Sequence, residues 1–216
     1  MDRLLETIDS AGQSLKSPLR YTVAVTAMAS SNKPSLIPLV VSHGQQALSE
    51  TDFLAFVSAA RESLLKMIAT IGAPRAINAT AALMDSVPQT IADQLPKHPG
   101  RSKDQYIYND IRSRGESLWR AVYSKQAEKL EQKIGSWYPD LIEVIKTDLY
   151  GRLLSDCRII DARSTELCTI AALVPIDVPA QLKSHVLGAG RLGATQEEID
   201  AAHAVAQAIT VCAKEI

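Results

Sequence analysis

The stretch ELCTIAALVPIDVPAQLKSH, Glu166 to His185, decides how this chain is read. It is apolar at helical spacing, interrupted once at PIDVPA, and carries a carboxylate near one end and an imidazole near the other. Asp161 is placed to cap a helix over roughly 162–174, because a short acidic side chain accepts from the free N–H groups of a first turn. PIDVPA then reads as a turn. Asp177 is the expected N-cap of the next helix, with Pro179 in its first turn, where a missing N–H costs little. That second helix should run to about Leu192 and stop at Gly193. Glu166 and His185 lie about equally far from the turn. At ~1.5 Å rise per residue they stand at nearly the same height on antiparallel neighbours. Val178, Gln181 and His185 share one face of the second helix.

The spacing therefore predicts a Glu166–His185 hydrogen bond across a helical hairpin. A carboxylate beside an imidazole fixes the ring and gives a proton donor or acceptor useful near neutral pH. The plainer alternative is that the two groups pair only to satisfy each other inside a packed core, since buried polar groups need partners whatever their job.

Working outward, the rest of the chain also reads as helix, which makes the fold class all-α. Tyr21–Ala29, YTVAVTAMA, is β-branched enough for a strand, but no partner strand is visible and its neighbours are helical. Ser49 with Asp52 marks a helix start and Gly72 a stop. Thr195 with Glu198 marks another start. Aligning the two starts gives a weak internal repeat. It divides the chain into an N-terminal unit (1–86), a connecting loop and helix (87–136) and a C-terminal unit (137–216). Val87–Gln105 holds three prolines and a glycine and is expected to be a crossing loop with one short helix. Gly115–Gly135 and Tyr138–Leu154 each read as one amphipathic helix. Trp119, Tyr123 and Trp137 are expected to anchor a core or an interface, and His98 to be solvated in its loop.

Composition removes several classes of function. A net charge of −1 offers no basic footprint for nucleic acid. No apolar run approaches the ~18 residues of a membrane span. The three cysteines are odd in number and lack CxxC spacing, which excludes a disulfide framework or a zinc site of the usual kind. No metal or organic cofactor is implied. The opening MDRLLETIDS lacks an apolar signal core, and the closing AKEI matches neither a peroxisomal nor a retention signal. The default location is intracellular and cytoplasmic, with an organelle left open.

The C-terminal unit resembles the carboxymuconolactone decarboxylase family, which shares a superfamily with alkylhydroperoxidase D. The resemblance rests on Glu166–Leu167, Ser184–His185, the small run Gly188–Gly190, GATQEEI from Gly193, and Tyr150–Arg152 in the lead-in. Ile71–Ala79, IGAPRAINA, resembles the AGxPxAxNA segment of the same family. The resemblance implies an alkylhydroperoxidase D-like helical bundle of two pseudo-repeated units. It also implies a homo-oligomer, trimer or hexamer, and Glu166 with His185 as the catalytic pair.

Three departures bear on function. The hydroperoxidase branch carries two cysteines where this chain has Val178 and Gln181, so thiol peroxidase or disulfide reductase chemistry is disfavoured. Cys168, two residues after Glu166, points elsewhere on its helix. Leu187 stands where the decarboxylase pattern has an arginine that can grip a carboxylate as a fork. In the repeat register Glu166 falls on Arg20 and His185 on Leu39, with His43 a helical turn away, so at most one site per chain is expected.

Two functions follow. One is a cofactor-free lyase, decarboxylase or isomerase acting on a small cyclic or lactone acid. His185 would be its acid/base and Glu166 its orienter, with Arg163, Arg152, Lys183, Gln181 and His203 as candidate substrate contacts. The other is an inactive oligomeric helical scaffold or binding protein of the same fold. An open pocket reaching His185 would favour the first, and a closed, packed pair the second.

Overall fold

The computed structural model describes residues 2–101 and 108–215, and these form an all-α protein with no strand among them. Part of the expected crossing loop, 102–105, lies outside the described residues. The helices run in order α1 (Asp2–Ala11), α2 (Ser17–Ser30), α3 (Ile37–Ala47), α4 (Glu50–Lys66), α5 (Ile68–Ile71), α6 (Ala73–Ser86) and α7 (Gln89–Ala92). After the undescribed segment come α8 (Tyr108–Tyr123), α9 (Ala127–Trp137), α10 (Pro139–Val144) and a π-helical stretch at Ile145–Leu154. The chain closes with α11 (Ala162–Ile176), α12 (Pro179–Arg191) and α13 (Gln196–Glu215). No described helix is long and apolar enough to cross a membrane.

Two helices are apolar on nearly every side, and such helices must be central. In α2, Tyr21 to Ser30 is buried without a break, and in α11, Thr165 to Leu173 is. The two pack on each other, α4 lies against α2, and α13 lies against both. Polar groups inside this layer are matched. Ser30 Oγ donates to the Ala172 carbonyl (2.5 Å) and Thr26 bonds Ser63 (2.7 Å) across to α4. The expected caps form. Asp161 accepts from the Ser164 N–H (2.7 Å), Ser49 from the Asp52 N–H (3.1 Å), and Thr195 and Glu198 exchange bonds of 3.0 and 3.3 Å. Tyr21–Ala29 is helix, as read.

Three local expectations fail for identifiable reasons. Asp177 is not an N-cap. It takes left-handed backbone at φ 52° and closes α11, while Val178 caps α12 and Pro179 opens it. The single helix expected over Gly115–Gly135 breaks at Ser124, whose φ is 49°, and the Trp119 indole N–H donates to the Ala127 carbonyl (3.2 Å) across the break. Tyr138–Leu154 is not one α-helix, because its second half is π-helical. That half packs backbone-to-backbone on α8: a Cβ on Gly115 would lie 2.0 Å from the Lys146 carbonyl oxygen, and one on Gly151 2.3 Å from that of Ile111. Trp137, expected in a core or an interface, is 66% exposed and lies outside the core of this chain.

Candidate functional site

The predicted hairpin exists, and its two polar side chains meet. His185 Nδ1 lies 2.8 Å from Glu166 Oε2 between α12 and α11. Glu166 is completely buried and His185 is 6% exposed. A carboxylate acceptor at Nδ1 assigns the proton to that nitrogen and leaves Nε2 as the basic atom. No described residue hydrogen-bonds Nε2. Glu166 Oε1 is also buried without a hydrogen-bond partner. The pair is thus oriented on its inner side, with Glu166 Oε1 buried and unmatched and Nε2 free of any bond to a described residue.

Its walls come from three elements. Tyr123, at the end of α8, sets its ring edge-on to His185, with centroids 6.2 Å apart and planes at 68°. The Tyr150 hydroxyl donates to the Tyr123 hydroxyl (2.9 Å), and the tight packing of the π-helical stretch on α8 brings these two rings together. Burial pushes the Tyr150 phenol well above its usual range, and the coupling to the Tyr123 phenol and the Glu166 charge raise it further. Burial also raises Tyr123, opposed by its bond to Tyr150 and supported by the Glu166 charge. Both phenols stay neutral beside the carboxylate. On α12, Gly188 lets the chain approach: a Cβ there would stand 2.8 Å from Val122 Cγ1 and 2.9 Å from Glu166 Oε2. Sequence reading took Tyr123 as a packing residue only and gave no role to Gly188 beyond its small size.

The structure does not gather the other candidates around the pair. Arg163 is ion-paired to Glu198, joining α11 to α13. Arg152 is exposed, and only its carbonyl is engaged, accepting from Arg101 (3.4 Å). Lys183 and Gln181 are exposed on α12, and His203 is half-buried on α13. None of the five hydrogen-bonds Glu166 or His185. Cys168 is buried, and burial pushes its thiol up, away from the reactive thiolate. Among the described residues no cluster of His, Cys, Asp and Glu has the makings of a metal site.

A second histidine–carboxylate cluster escaped sequence reading altogether. His43 Nε2 lies 2.7 Å from Asp9 Oδ2, bringing α3 to α1. Asp9 Oδ1 also accepts from Arg20 (3.2 Å) and from the Tyr21 hydroxyl (3.1 Å), and Tyr21 stands edge-on to His43 at 5.7 Å and 88°. Partial burial opposes ionisation of Asp9, but bonds from His43, Arg20 and Tyr21 outweigh it and hold the carboxyl below its usual range. Burial, then the Asp9 charge and bond, pushes Tyr21 up to about 12. Asp9 and His43 are 34 residues apart in unrelated local patterns, so no spacing rule joins them.

No family model and no solved structure matches the chain. Two curated proteins do. Over 190 residues the chain is 29% identical to Peroxisomal protein 2 of Schizosaccharomyces pombe, covering 88% of this chain and 84% of that protein. Over 170 residues it is 29% identical to Peroxisomal protein 2 of Saccharomyces cerevisiae, covering 68% of this chain and 58% of that protein.

Proposed function

We propose that this chain is a peroxisomal protein of the carboxymuconolactone decarboxylase-like kind. In this reading Glu166 and His185 run cofactor-free proton transfer on a small cyclic or lactone acid. His185 Nε2 delivers or removes a proton at carbon as CO2 leaves or a double bond shifts. Glu166 holds the opposite nitrogen and stabilises the imidazolium that forms. The peroxisomal location is supported by the names of two relatives aligned along most of the chain or more than half of it, and it replaces the cytoplasmic default. Self-association into a trimer or hexamer follows from the family resemblance.

The observation that carries this reading is the half-satisfied pair. A buried carboxylate kept only for structure is normally bonded at both oxygens, because an unmatched buried polar atom costs about 1–3 kcal/mol. Glu166 is bonded at one. Departures from local satisfaction of this sort concentrate at functional sites. A second reading, an inactive helical scaffold, is favoured by burial: Glu166 is completely buried and His185 is 6% exposed, and neither lines the cavity between α4 and α6.

The discriminating experiment is His185→Gln assayed on a panel of small lactone acids, with helicity and oligomer size measured alongside. The glutamine amide keeps a donor for Glu166 but cannot shuttle a proton. Loss of turnover with an unchanged fold supports the enzyme. Turnover equal to wild type, or no lactone acid turned over by either protein, supports the scaffold.

A further inference from the structure

One cavity shares no lining residue with this pair. It occupies about 910 Å³ and is bounded by α4, α6, the segment after α7 and the segment after the π-helical stretch. That size falls in the range of small-molecule sites, which are mostly apolar with a few convergent polar groups. Leu65, Ile68, Ile77, Ala81 and Met84 provide apolar walls. The apolar lining continues to the surface at Ile77, 65% exposed, and Ile159, 50% exposed.

The polar end is built from buried charge. Glu62 and Asp156 are each 4% exposed. Arg101 grips both oxygens of Glu62 and reaches Asp156 Oδ2 through Nε at 3.3 Å. Arg158 forks onto Asp156 at 2.6 and 2.9 Å. Two carboxylates and two guanidiniums therefore neutralise one another. A third guanidinium, Arg61, lines the same cavity half-buried and forms no ion pair with any described acid. Among the described residues, Arg61 is thus a lining guanidinium outside these ion pairs, beside an aliphatic trough.

We propose that this cavity binds an aliphatic monocarboxylate, with its chain along the α4–α6 trough and its carboxylate at Arg61. A single negative head matches Arg61, which has no acidic partner among the described residues. A cationic head would be repelled, and an esterified one would leave Arg61 unmatched in a partly buried setting. The alkyl chain removes the exposed faces of Ile77 and Ile159 from water. This inference goes beyond the proposed acid–base reaction and does not depend on it.

The test is calorimetric titration of the full chain with dodecanoate below its micellar range. The expected result is saturable binding of one dodecanoate per chain. Arg61→Gln weakens it about ten-fold, the value of one charge-assisted hydrogen bond. Arg61→Lys keeps most of it, and Ile77→Asp weakens it by about ten-fold or more by placing a charge on the apolar wall. Methyl dodecanoate and dodecyltrimethylammonium bind at least as weakly as dodecanoate binds Arg61→Gln. Both altered side chains are surface-accessible, and unchanged helicity and thermal midpoints confirm that the variants fold. His185→Gln binds dodecanoate like wild type, which separates failure of this inference from failure of the acid–base reading. The proposal is overturned by unsaturable or absent dodecanoate binding, by equal binding in Arg61→Gln, or by equal binding of the methyl ester. It is also overturned if Ile77→Asp dissolves a self-associated form while dodecanoate does not bind, since a second copy would then cover the trough.

Discussion

The chain holds two histidine–carboxylate pairs, each with a tyrosine edge against the imidazole, and they differ in how well the acid is satisfied. Asp9 receives His43, Arg20 and Tyr21 and keeps 35% of its side chain in solvent. Glu166 receives His185 alone, has 1% of its side chain accessible and leaves one oxygen unmatched. The first is a wet, saturated cluster that ties α1 to α2 and α3. The second is dry and undersupplied with donors, so its histidine is held by one bond in a low-dielectric setting. Electrostatic interactions are far stronger there, and proton transfer benefits from them. Similar residue types thus give a surface tie in one place and a candidate reaction centre in the other.

The largest expected difference lies in removing the imidazole. His185→Leu strands a fully buried carboxylate and should cost about 3–5 kcal/mol in denaturant unfolding. Adding Glu166→Leu should recover much of that loss, since a buried pair replaced by apolar groups is often neutral. His43→Leu should cost below about 1 kcal/mol, because Asp9 keeps Arg20, Tyr21 and water. Equal costs for the two single variants would break the contrast.

A smaller effect sharpens it through glycine. Gly188→Ala puts a Cβ 2.8 Å from Val122 and 2.9 Å from Glu166 Oε2, which should cost about 1–3 kcal/mol by overpacking. For Gly44→Ala, on α3 next to His43, the nearest atoms are those of Phe56 and Tyr21 at 3.5–3.7 Å, an ordinary contact. It should stabilise by about 0.5–1 kcal/mol through helix propensity. A stabilising Gly188→Ala would mean that α12 has room to move off the pair.

The Glu166–His185 contact was legible because it is local: one hairpin, one turn, and a helical rise that fixes the height of both residues. The Asp161, Ser49 and Thr195 caps were legible for the same reason. What stayed hidden was set by tertiary packing. The left-handed Ser124, the π-helical turn that presents Tyr150, and the close approach at Gly115 and Gly151 carry no propensity signal. Asp9 and Arg101 meet their partners over separations of 34 and 39 residues, where periodicity says nothing. Arg163, a candidate substrate contact in the sequence, is held by Glu198, 35 residues away.

The smallest expected effect is the N-terminal cluster's share of a pH dependence. Tyr21 ionises at about 12 in the folded protein, against 10.0 ordinarily, because burial and then the Asp9 charge disfavour the phenolate. A folded-state value raised above the unfolded one gives stability that is complete below pH ~10 and declines as pH rises towards 12. Tyr123, Tyr150 and the Cys168 thiol are raised in the same direction, so the wild-type decline is shared with them. Tyr21→Phe should remove only the Tyr21 share. Unfolding free energies measured at pH 8 and at pH 11 should therefore lie closer together in Tyr21→Phe than in wild type, with a loss at pH 8 of about 1 kcal/mol or less from the missing bond to Asp9. An identical pH 8 to 11 difference in both proteins would show that the hydroxyl does not serve Asp9 in solution. Asp9 would then be short of a donor, as Glu166 is, and the distinction between a saturated and an undersupplied acid would lose one of its two sides.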